Sequence, residues 1–368
     1  MKVLFHIDAD AFFVSASQTL RPETIGKPVV VSGKRGSSVI GAASYEARAK
    51  GIGAAMLLRD AIAKCPDLIF LPGDFELYEK LSKRMFEIFR IKYTELIEIA
   101  SIDECYMDVS NIWKKYGSAF NLAKDMQRTI KKELGITISI GISYTKWLAK
   151  MCSNIRKPNG VTSLGPKNFK ETIWKMDIEK YFGIGKKTWP LLKLNNIHTI
   201  GDIAKLNPDS EIANEIFKNK SKALIDTVFG ISSDVVNNSR IKYKEISNSR
   251  TFSEGYSNDR HHITEVLRGL TEKVASTAIE ERKIGLVVGI TLKDTNFNVK
   301  QKQIKLRIPV QSAEDIFPIA LNLFDKNWKG NDLRLIGVKI SQTRNIDNWT
   351  YQQSFFDKKR LSKIKPLL

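Results

Sequence analysis

A chain of 368 residues, 42% of them hydrophobic and 27% charged, is too long for one ordinary core and is expected to fold as about two to four domains. Its formal net charge of +19, with a pI near 9.6, points to a polyanionic partner. The excess is spread along the chain, which favours a long polyanion touching several domains and argues against one local phosphate site. No apolar run approaches the roughly 18 residues of a membrane helix. The N-terminal MKVLFHIDAD reaches an aspartate too early for a signal peptide. Cys65, Cys105 and Cys152 lie far apart and form no CxxC pair, so neither a disulfide framework nor a structural zinc site is expected. A protein of the reducing cytoplasm fits these features.

In chain order, residues 2–8 (KVLFHID) read as a strand, because apolar and β-branched side chains dominate. Residues 9–20 follow as a helix. PVVVSG (28–33) and SSVIGAAS (37–44) read as further strands, and helical patterns cover 45–64 and 74–92. IEIASIDECYMDVS (97–110) reads as two short strands around a tight bend, 118–134 as an amphipathic helix, and ITISIGIS (136–143) as a strand. This mixture predicts an α/β or α+β core. From 165 to 230 strand signals nearly vanish, and a small helical domain is expected. Residues 231–244 (ISSDVVNNSRIKYK) are polar and basic and read as a linker. Strands return at 286–294, 303–310 and 334–342, alternating with helical patterns at 261–282 and 312–327. A second α/β domain is therefore expected over 245–345, and 346–368 reads as a flexible tail. The fold class is multidomain α/β (α+β).

The chemistry concentrates on carboxylates. Asp8 ends the first strand, Asp103 and Glu104 sit at the bend within 97–110, and Asp10 and Asp108 are nearby in sequence. Apolar strands ending in carboxylates are costly unless the charges stay solvated or meet a cation. Strand ends brought side by side gather Asp8, Asp103 and Glu104 into one cluster, whose mutual repulsion raises their pKa values. A divalent cation removes that penalty, and hard oxygen ligands select Mg²⁺. Two such ions about 3.5–4 Å apart clamp the attacking and leaving oxygens of a phosphoryl transfer. Taken without the rest of the chain, the same residues also read as an exposed polar turn and a strand end.

Four blocks, HIDADAFFVS (6–15), SYEARAKGI (44–52), SIDECYMDVS (101–110) and GISYTKWLAKMCSNIRKPNG (141–160), together resemble the signature blocks of the Y-family of DNA polymerases, most closely the bacterial DNA polymerase IV type. The similarity runs over roughly residues 1–345. It implies a right-hand core, with palm and fingers over 1–164 (fingers at about 11–77), a helical thumb over 165–230, and a little-finger α/β domain over 245–345. The activity implied is template-directed addition of deoxynucleotides to a primer 3′ end. It is of the lesion-bypass type, with low fidelity and no proofreading. By the same resemblance Asp8, Asp103, Glu104 and the backbone carbonyl of Ala9 hold two Mg²⁺ ions. Phe13 lies beneath the incoming sugar and rejects a 2′-hydroxyl, while Phe12 lies nearer the core. Tyr45 and Arg48 share one helix face and, with Lys157, take the triphosphate; an arginine fork suits phosphate. Three residues before this tyrosine the family usually carries a hydroxyl that reaches the phosphates; Ala42 stands there, so one hydrogen bond is missing. Lys146 and Lys150 read as surface or DNA-side charges, with Lys150 also a candidate to help Lys157 neutralise the triphosphate.

Gly183-Ile184-Gly185 lies between helical patterns and is followed by Lys186 and Lys187. That is the pattern of a helix–hairpin–helix element, whose backbone N–H groups hold DNA phosphates without reading bases; an ordinary turn is the plainer alternative. Lys300, Lys302, Lys305 and Arg307 stud a strand-rich segment, and Lys305 and Arg307, two apart, share a face that can track a phosphate backbone. Gln352-Gln353-Ser354-Phe355-Phe356 resembles the short peptide that docks bacterial replication proteins on the sliding clamp, with Gln352, Phe355 and Phe356 as its contacts. Phe355 replaces the common leucine. Expected partners are primer–template DNA, deoxynucleoside triphosphates and the clamp, with no membrane and a monomeric chain. Two rivals stand beside this reading: another two-metal nucleotidyl transferase or cyclase on a similar palm, and a non-catalytic DNA-bound scaffold. The Gly183 segment and the second basic domain argue against the first, and the intact Asp8, Asp103 and Glu104 set against the second.

Overall fold

The computed structural model describes residues 2–33, 38–237, 244–252 and 255–349. The chain divides into two compact units, Met1–Ser239 and Arg240–Leu368.

The first unit begins with β1 (Leu4–Ala9), α1 (Phe12–Thr19), β2 (Val29–Ser32), β3 (Ile40–Ala43), α2 (Tyr45–Ala49), α3 (Leu58–Lys64), β4 (Ile69–Leu71) and α4 (Phe75–Lys92). It continues with β5 (Ile97–Ile99), β6 (Glu104–Asp108), α5 (Ala119–Leu134), β7 (Ile138–Ser143), α6 (Lys146–Ile155) and β8 (Val161–Ser163). The main sheet has the order β5-β6-β1-β7-β8. Its central strand, β1, is buried at every position, as a strand covered on both faces must be. Phe5, Ile7 and Ala9 join Ile138, Ile140 and Ile142 in a core with Met85, Phe89, Met126 and Ile130. Each such large side chain contributes about 1.5–3 kcal/mol when fully buried. His6 and Asp8, on the alternate positions, meet α6 on the other face. Gly141 on β7 allows that close approach: a Cβ there would stand 2.0 Å from the carbonyl oxygen of Ala149.

A three-stranded sheet, β3-β2-β4, has its own small core of Val30, Ile40, Ala43, Ala47, Ile52, Leu58 and Ala61. The helix expected over 45–64 is here two short helices. Gly51, at φ 75°, and Ala55, at φ 69°, take left-handed conformations that no helix accommodates. Strands β4 and β8 escape the sequence pattern because three residues are too few to show an alternation and, unlike β5, neither is half of a hairpin.

A helical segment follows: α7 (Phe169–Ile173), α8 (Trp189–Leu194), α9 (Ile200–Ile203), α10 (Glu211–Phe217) and α11 (Ser221–Val228). Its core of Phe169, Ile173, Leu192, Ile200, Phe217 and Val228 includes Trp147, Leu148 and Met151 of α6. The stretch expected to open a linker is fastened to this unit over 231–237. Lys146 N–H donates to Ser233 O at 3.0 Å, and Asn237 N–H donates to Glu98 Oε2 at 2.8 Å.

The second unit runs β9 (Glu245–Thr251), α12 (Arg260–Glu280), β10 (Lys283–Asp294), β11 (Val299–Val310), α13 (Ala313–Asn327) and β12 (Leu333–Ser341). Its sheet, β11-β10-β12-β9, is antiparallel throughout. Val288, Ile290, Ile336, Val338 and Ile340 pack beneath α12 and α13 through Leu267, Val274, Ile316 and Phe324. Among the described residues, no helix is long and apolar enough to cross a membrane.

Candidate active site

Of the three carboxylates expected to act together, Asp8 and Glu104 meet at the end of β1. Asp8 and Glu104 are directly opposed in the antiparallel β1–β6 register, where Cβ atoms lie about 4.5–5.5 Å apart. Asp103 stands one residue before β6, and its carbonyl accepts the N–H of Ala9 at 3.0 Å. Its own carboxylate accepts from Ser101 Oγ at 2.6 Å. Asp108, at the far end of β6 opposite Leu4, is not part of this group and accepts from the Ser110 amide.

Two lysines neutralise the pair. Lys150 of α6 lies 3.1 Å from Asp8 Oδ2 and 2.6 Å from Glu104 Oε1. Lys157 bonds Asp8 Oδ1. Lys150 is only 6% exposed, so the reading of it as a surface or DNA-side charge is corrected. It lies one turn beyond Lys146 on α6 and is flanked by the buried Leu148, Ala149, Met151 and Cys152. Lys146 is half-buried and pairs with Glu98 at 2.9 Å.

Burial, and then the hydrogen-bonded Glu104, push the carboxyl of Asp8 up to about 6 against the pull of the two lysines. Burial also acts upward on Glu104, but the facing His6 imidazole, Asp8 and the hydrogen-bonded Lys150 outweigh it and hold that carboxyl well below its ordinary value. His6, wholly buried on β1, is pushed down to about 4 by burial.

Beside the carboxylates opens a cleft of about 340 Å³ lined by Asp8, Ala9, Phe12, Phe13, Tyr45, Arg48, Asp103 and Lys157, with Gly41, Ala42, Ala43, Gly53 and Ala54 forming a small-residue wall. Tyr45 opens α2, with Ser44 as its N-cap. The Arg48 guanidinium lies 4.7 Å over the Tyr45 ring, and its Nε donates to Ala43 O at 3.0 Å. Phe12 is 3% exposed and belongs to the main core. Phe13 is half-buried and stacks on Tyr78 at 4.6 Å between centroids.

Asp10, noted in the sequence only as a neighbour, turns out to tie the site together. It is 2% exposed. Its Oδ1 accepts from Ser139 Oγ at 2.7 Å and from Tyr45 OH at 3.3 Å, and its Oδ2 accepts from the Asn159 amide at 2.8 Å. It therefore joins β7, the start of α2 and the segment that carries Lys157. Gln127 of α5 supports the same segment by donating to Ile138 O and Gly160 O. No spacing rule marks these two residues, because these partners lie from 11 to 149 residues away.

The other candidate residues are elsewhere. Gly183 and Gly185 precede α8, with Gly183 at φ 114° and Lys186 and Lys187 exposed. The element before them is a single 3₁₀ turn, Ile178–Lys180, in place of the expected full helix. Lys305 and Arg307 lie exposed on β11. Val287 opposes Lys305, while Ile290 and Leu292 oppose Lys302 and Lys300. Strand alternation thus puts Lys305 on the open face of the sheet and Lys300 and Lys302 on the helix-covered side. Gln352, Phe355 and Phe356 lie outside the described residues.

Among the described residues no three His, Cys, Asp or Glu side chains stand grouped to hold a metal ion; the ammonium groups of Lys150 and Lys157 engage the carboxylates. The donor chemistry nonetheless fits a hard cation. Asp8, Asp103, Glu104 and the Ala9 carbonyl offer oxygens only, and the opposed pair already draws in two positive charges.

Comparison with known proteins covers both units. Residues 7–154 match the impB/mucB/samB family and residues 243–355 match that family's C-terminal domain. DNA polymerase IV of Bacillus velezensis is 34% identical over 369 residues, spanning 100% of this chain and 88% of that protein. DNA polymerase IV 1 of Bacillus subtilis is 35% identical over 341 residues, spanning 92% of this chain and 81% of that protein. Among solved structures, a chimeric Y-family DNA polymerase superposes with a TM-score of 0.81 at 25% identity, covering 92% of this chain and 98% of that one. The insertion ternary complex of Dbh DNA polymerase superposes with a TM-score of 0.67 at 26% identity, with the same coverage.

Proposed function

The chain belongs to the Y-family of DNA polymerases, in the DNA polymerase IV group, and is a DNA-directed DNA polymerase; from that premise we propose that Asp8, Asp103 and Glu104, with the Ala9 carbonyl, hold two Mg²⁺ ions, and that the adjoining cleft receives a deoxynucleoside triphosphate at a primer 3′ end. The observation that carries this reading is the opposition of Asp8 and Glu104 on adjacent strands, at the rim of a cleft lined by Phe13, Tyr45, Arg48 and Lys157. When bound, the ions lower the pKa of the attacking hydroxyl and neutralise charge on the phosphates.

The chain's own residues do the rest. Arg48, stacked on Tyr45, presents a planar fork to the phosphates. Lys157 exchanges its bond to Asp8 for one to the triphosphate. Phe13, braced by Tyr78, leaves no space for a 2′-hydroxyl. Ala42 adds no hydroxyl to the phosphate contacts. The small-residue wall presses on few atoms of the incoming base pair, which supports low fidelity and bypass of damaged templates.

Primer–template DNA is held by backbone contacts from the Gly183–Lys187 segment and from Lys305 and Arg307 on the open sheet face of the second unit. Binding of that kind is salt-sensitive and carries little sequence preference. Gln352, Phe355 and Phe356 dock the chain on the sliding clamp.

Extension of a labelled primer with Mg²⁺ and deoxynucleotides, beside Asp103→Ala, tests the site. The native protein extends and the variant does not; unchanged extension by Asp103→Ala removes the metal assignment. Deleting 351–356 abolishes clamp binding and spares basal extension, and clamp binding that survives the deletion rejects that motif.

A further inference from the structure

We propose that His6 is a positioning residue for Glu104, holding one carboxylate oxygen so that the other is turned toward Asp8 and the metal; the inference rests on reading Asp8, Asp103 and Glu104 as metal ligands. His6 sits two residues before Asp8 on β1 and so shares its face of the sheet. Its ring is wholly buried and Nε2 has no hydrogen-bond partner, yet this atom faces Glu104 Oε2 at 3.5 Å. The other oxygen, Oε1, lies 2.6 Å from Lys150 Nζ. The two oxygens of Glu104 are thus divided between an inner and an outer neighbour.

Ser153 decides what His6 offers. Its Oγ is 2.8 Å from His6 Nδ1 and also 2.8 Å from Lys150 O, and a hydroxyl has one proton to give. If that proton goes to Lys150 O, the imidazole hydrogen sits on Nδ1 and a bare Nε2 lone pair faces a carboxylate. If it goes to Nδ1, Nε2 carries the hydrogen and offers it to Glu104. A buried acceptor set against another acceptor costs about 1–3 kcal/mol, so the second arrangement is favoured. The ring cannot turn away easily. Tyr106 packs on it edge-on at 4.8 Å, and α6, seated on Gly141, brings Ser153 to its other side. A buried side chain that orients a metal-binding carboxylate through a hydrogen bond typically changes metal affinity about 10–100-fold when removed.

Mn²⁺ titration followed by electron paramagnetic resonance, with primer–template and a non-hydrolysable triphosphate present, tests this in the native protein, His6→Leu, His6→Gln, Ser153→Ala and Asp8→Ala. His6→Leu is expected to weaken Mn²⁺ binding about 10-fold or more while its thermal midpoint stays near that of the native protein. His6→Gln, which retains an N–H donor, recovers most of the affinity, and Ser153→Ala, which leaves Glu104 as the acceptor facing the imidazole, weakens it less than His6→Leu does. Native Mn²⁺ affinity in His6→Leu, or His6→Gln as weak as His6→Leu, overturns the proposal. Should His6→Leu fail to fold, His6→Phe, a ring with no N–H, decides by the same criterion. Native Mn²⁺ affinity in Asp8→Ala would instead sink the metal-site reading itself.

Discussion

The ammonium of Lys150 lies 2.6 Å from Glu104 and 3.1 Å from Asp8, buried between two carboxylates. Removing Lys150 leaves Glu104 without its lysine while Asp8 keeps Lys157, and losing one partner of a buried ion pair costs about 3–5 kcal/mol. Lys150→Met should therefore lower the unfolding free energy by about 3 kcal/mol in chelator-treated buffer. Mg²⁺ should recover more of that loss in the variant than it adds to the native protein, since an added cation replaces the missing charge. Urea unfolding with and without Mg²⁺ measures both. Equal Mg²⁺ stabilisation of the two proteins contradicts the assignment of Asp8 and Glu104 as the cation site.

Asp10 gives a different signature. It touches no residue of the carboxylate pair but holds Tyr45 and the Asn159 amide, which flank the proposed triphosphate contacts. Asp10→Asn keeps the volume and weakens both bonds, so the nucleotide KM should rise about 10-fold, the equivalent of about 1.4 kcal/mol, with kcat falling less. Steady-state single-nucleotide insertion separates the two constants. A fall in kcat at constant KM would mean that Asp10 acts at the chemistry instead.

The pH dependence of stability in metal-free buffer turns on two buried groups of opposite sign. Asp8, raised from 3.8 to about 6 in the folded protein, contributes stability below pH 4 that is lost as pH rises through 6. His6, lowered from 6.5 to about 4, contributes stability above pH 6.5 that is lost as pH falls toward 4. Between pH 5 and 6, where Glu104 is ionised in the folded and unfolded states alike, the folded state keeps a proton on Asp8 and the unfolded state keeps one on His6, so the two slopes cancel. His6→Gln removes only the second. Its stability should then fall with rising pH across this window by up to about 1.4 kcal/mol per pH unit relative to the native protein. Parallel curves for the two proteins would show that His6 and Asp8 do not titrate apart as their burial demands.

The sequence carried β1, the 97–110 hairpin and the helix over 118–134 because each has a clear period and a clean stop. It also carried the expectation that Asp8 and Glu104 meet, since the blocks around them are local and ordered. What it could not carry was long-range. Lys150 reads as one more lysine in a basic chain until α6 is seated on Gly141. Asp10 reads as a neighbour of Asp8 until Ser139 and Asn159 arrive from more than a hundred residues away. The helix over 45–64 was misread for the opposite reason: the left-handed turns at Gly51 and Ala55 are local, but the helical pattern on both sides masked them.

Phe12 and Phe13 both line the cleft, but Phe13 is half-buried and stacks on Tyr78, whereas Phe12 is 3% exposed and belongs to the core. Phe13→Ala should therefore admit ribonucleotides, raising their kcat/KM relative to deoxynucleotides by about 10–200-fold, the range one steric contact provides. Phe12→Ala should act mainly on stability, lowering it by about 3–5 kcal/mol as large core truncations do. Competition between ribo- and deoxynucleotides on one primer reads the first, and thermal unfolding the second. Unchanged discrimination in Phe13→Ala would move the gate to another lining residue.

The two faces of the second unit's sheet predict different salt responses. Lys305 lies on the open face with Thr291 and Lys339, whose partners across β10 share its side. Lys302 opposes the buried Ile290 on the helix-covered side. A lysine that neutralises one phosphate contributes about 0.9 to the slope of log K against log salt. Lys305→Ala should lower that slope by about one and weaken DNA binding alike for unrelated sequences. Lys302→Ala should leave the slope unchanged, although the two residues carry the same charge and both are exposed. Fluorescence anisotropy on a primer–template across a salt series measures the slope. Equal effects from both variants would mean that total charge governs binding, with no contribution from the geometry of the open face.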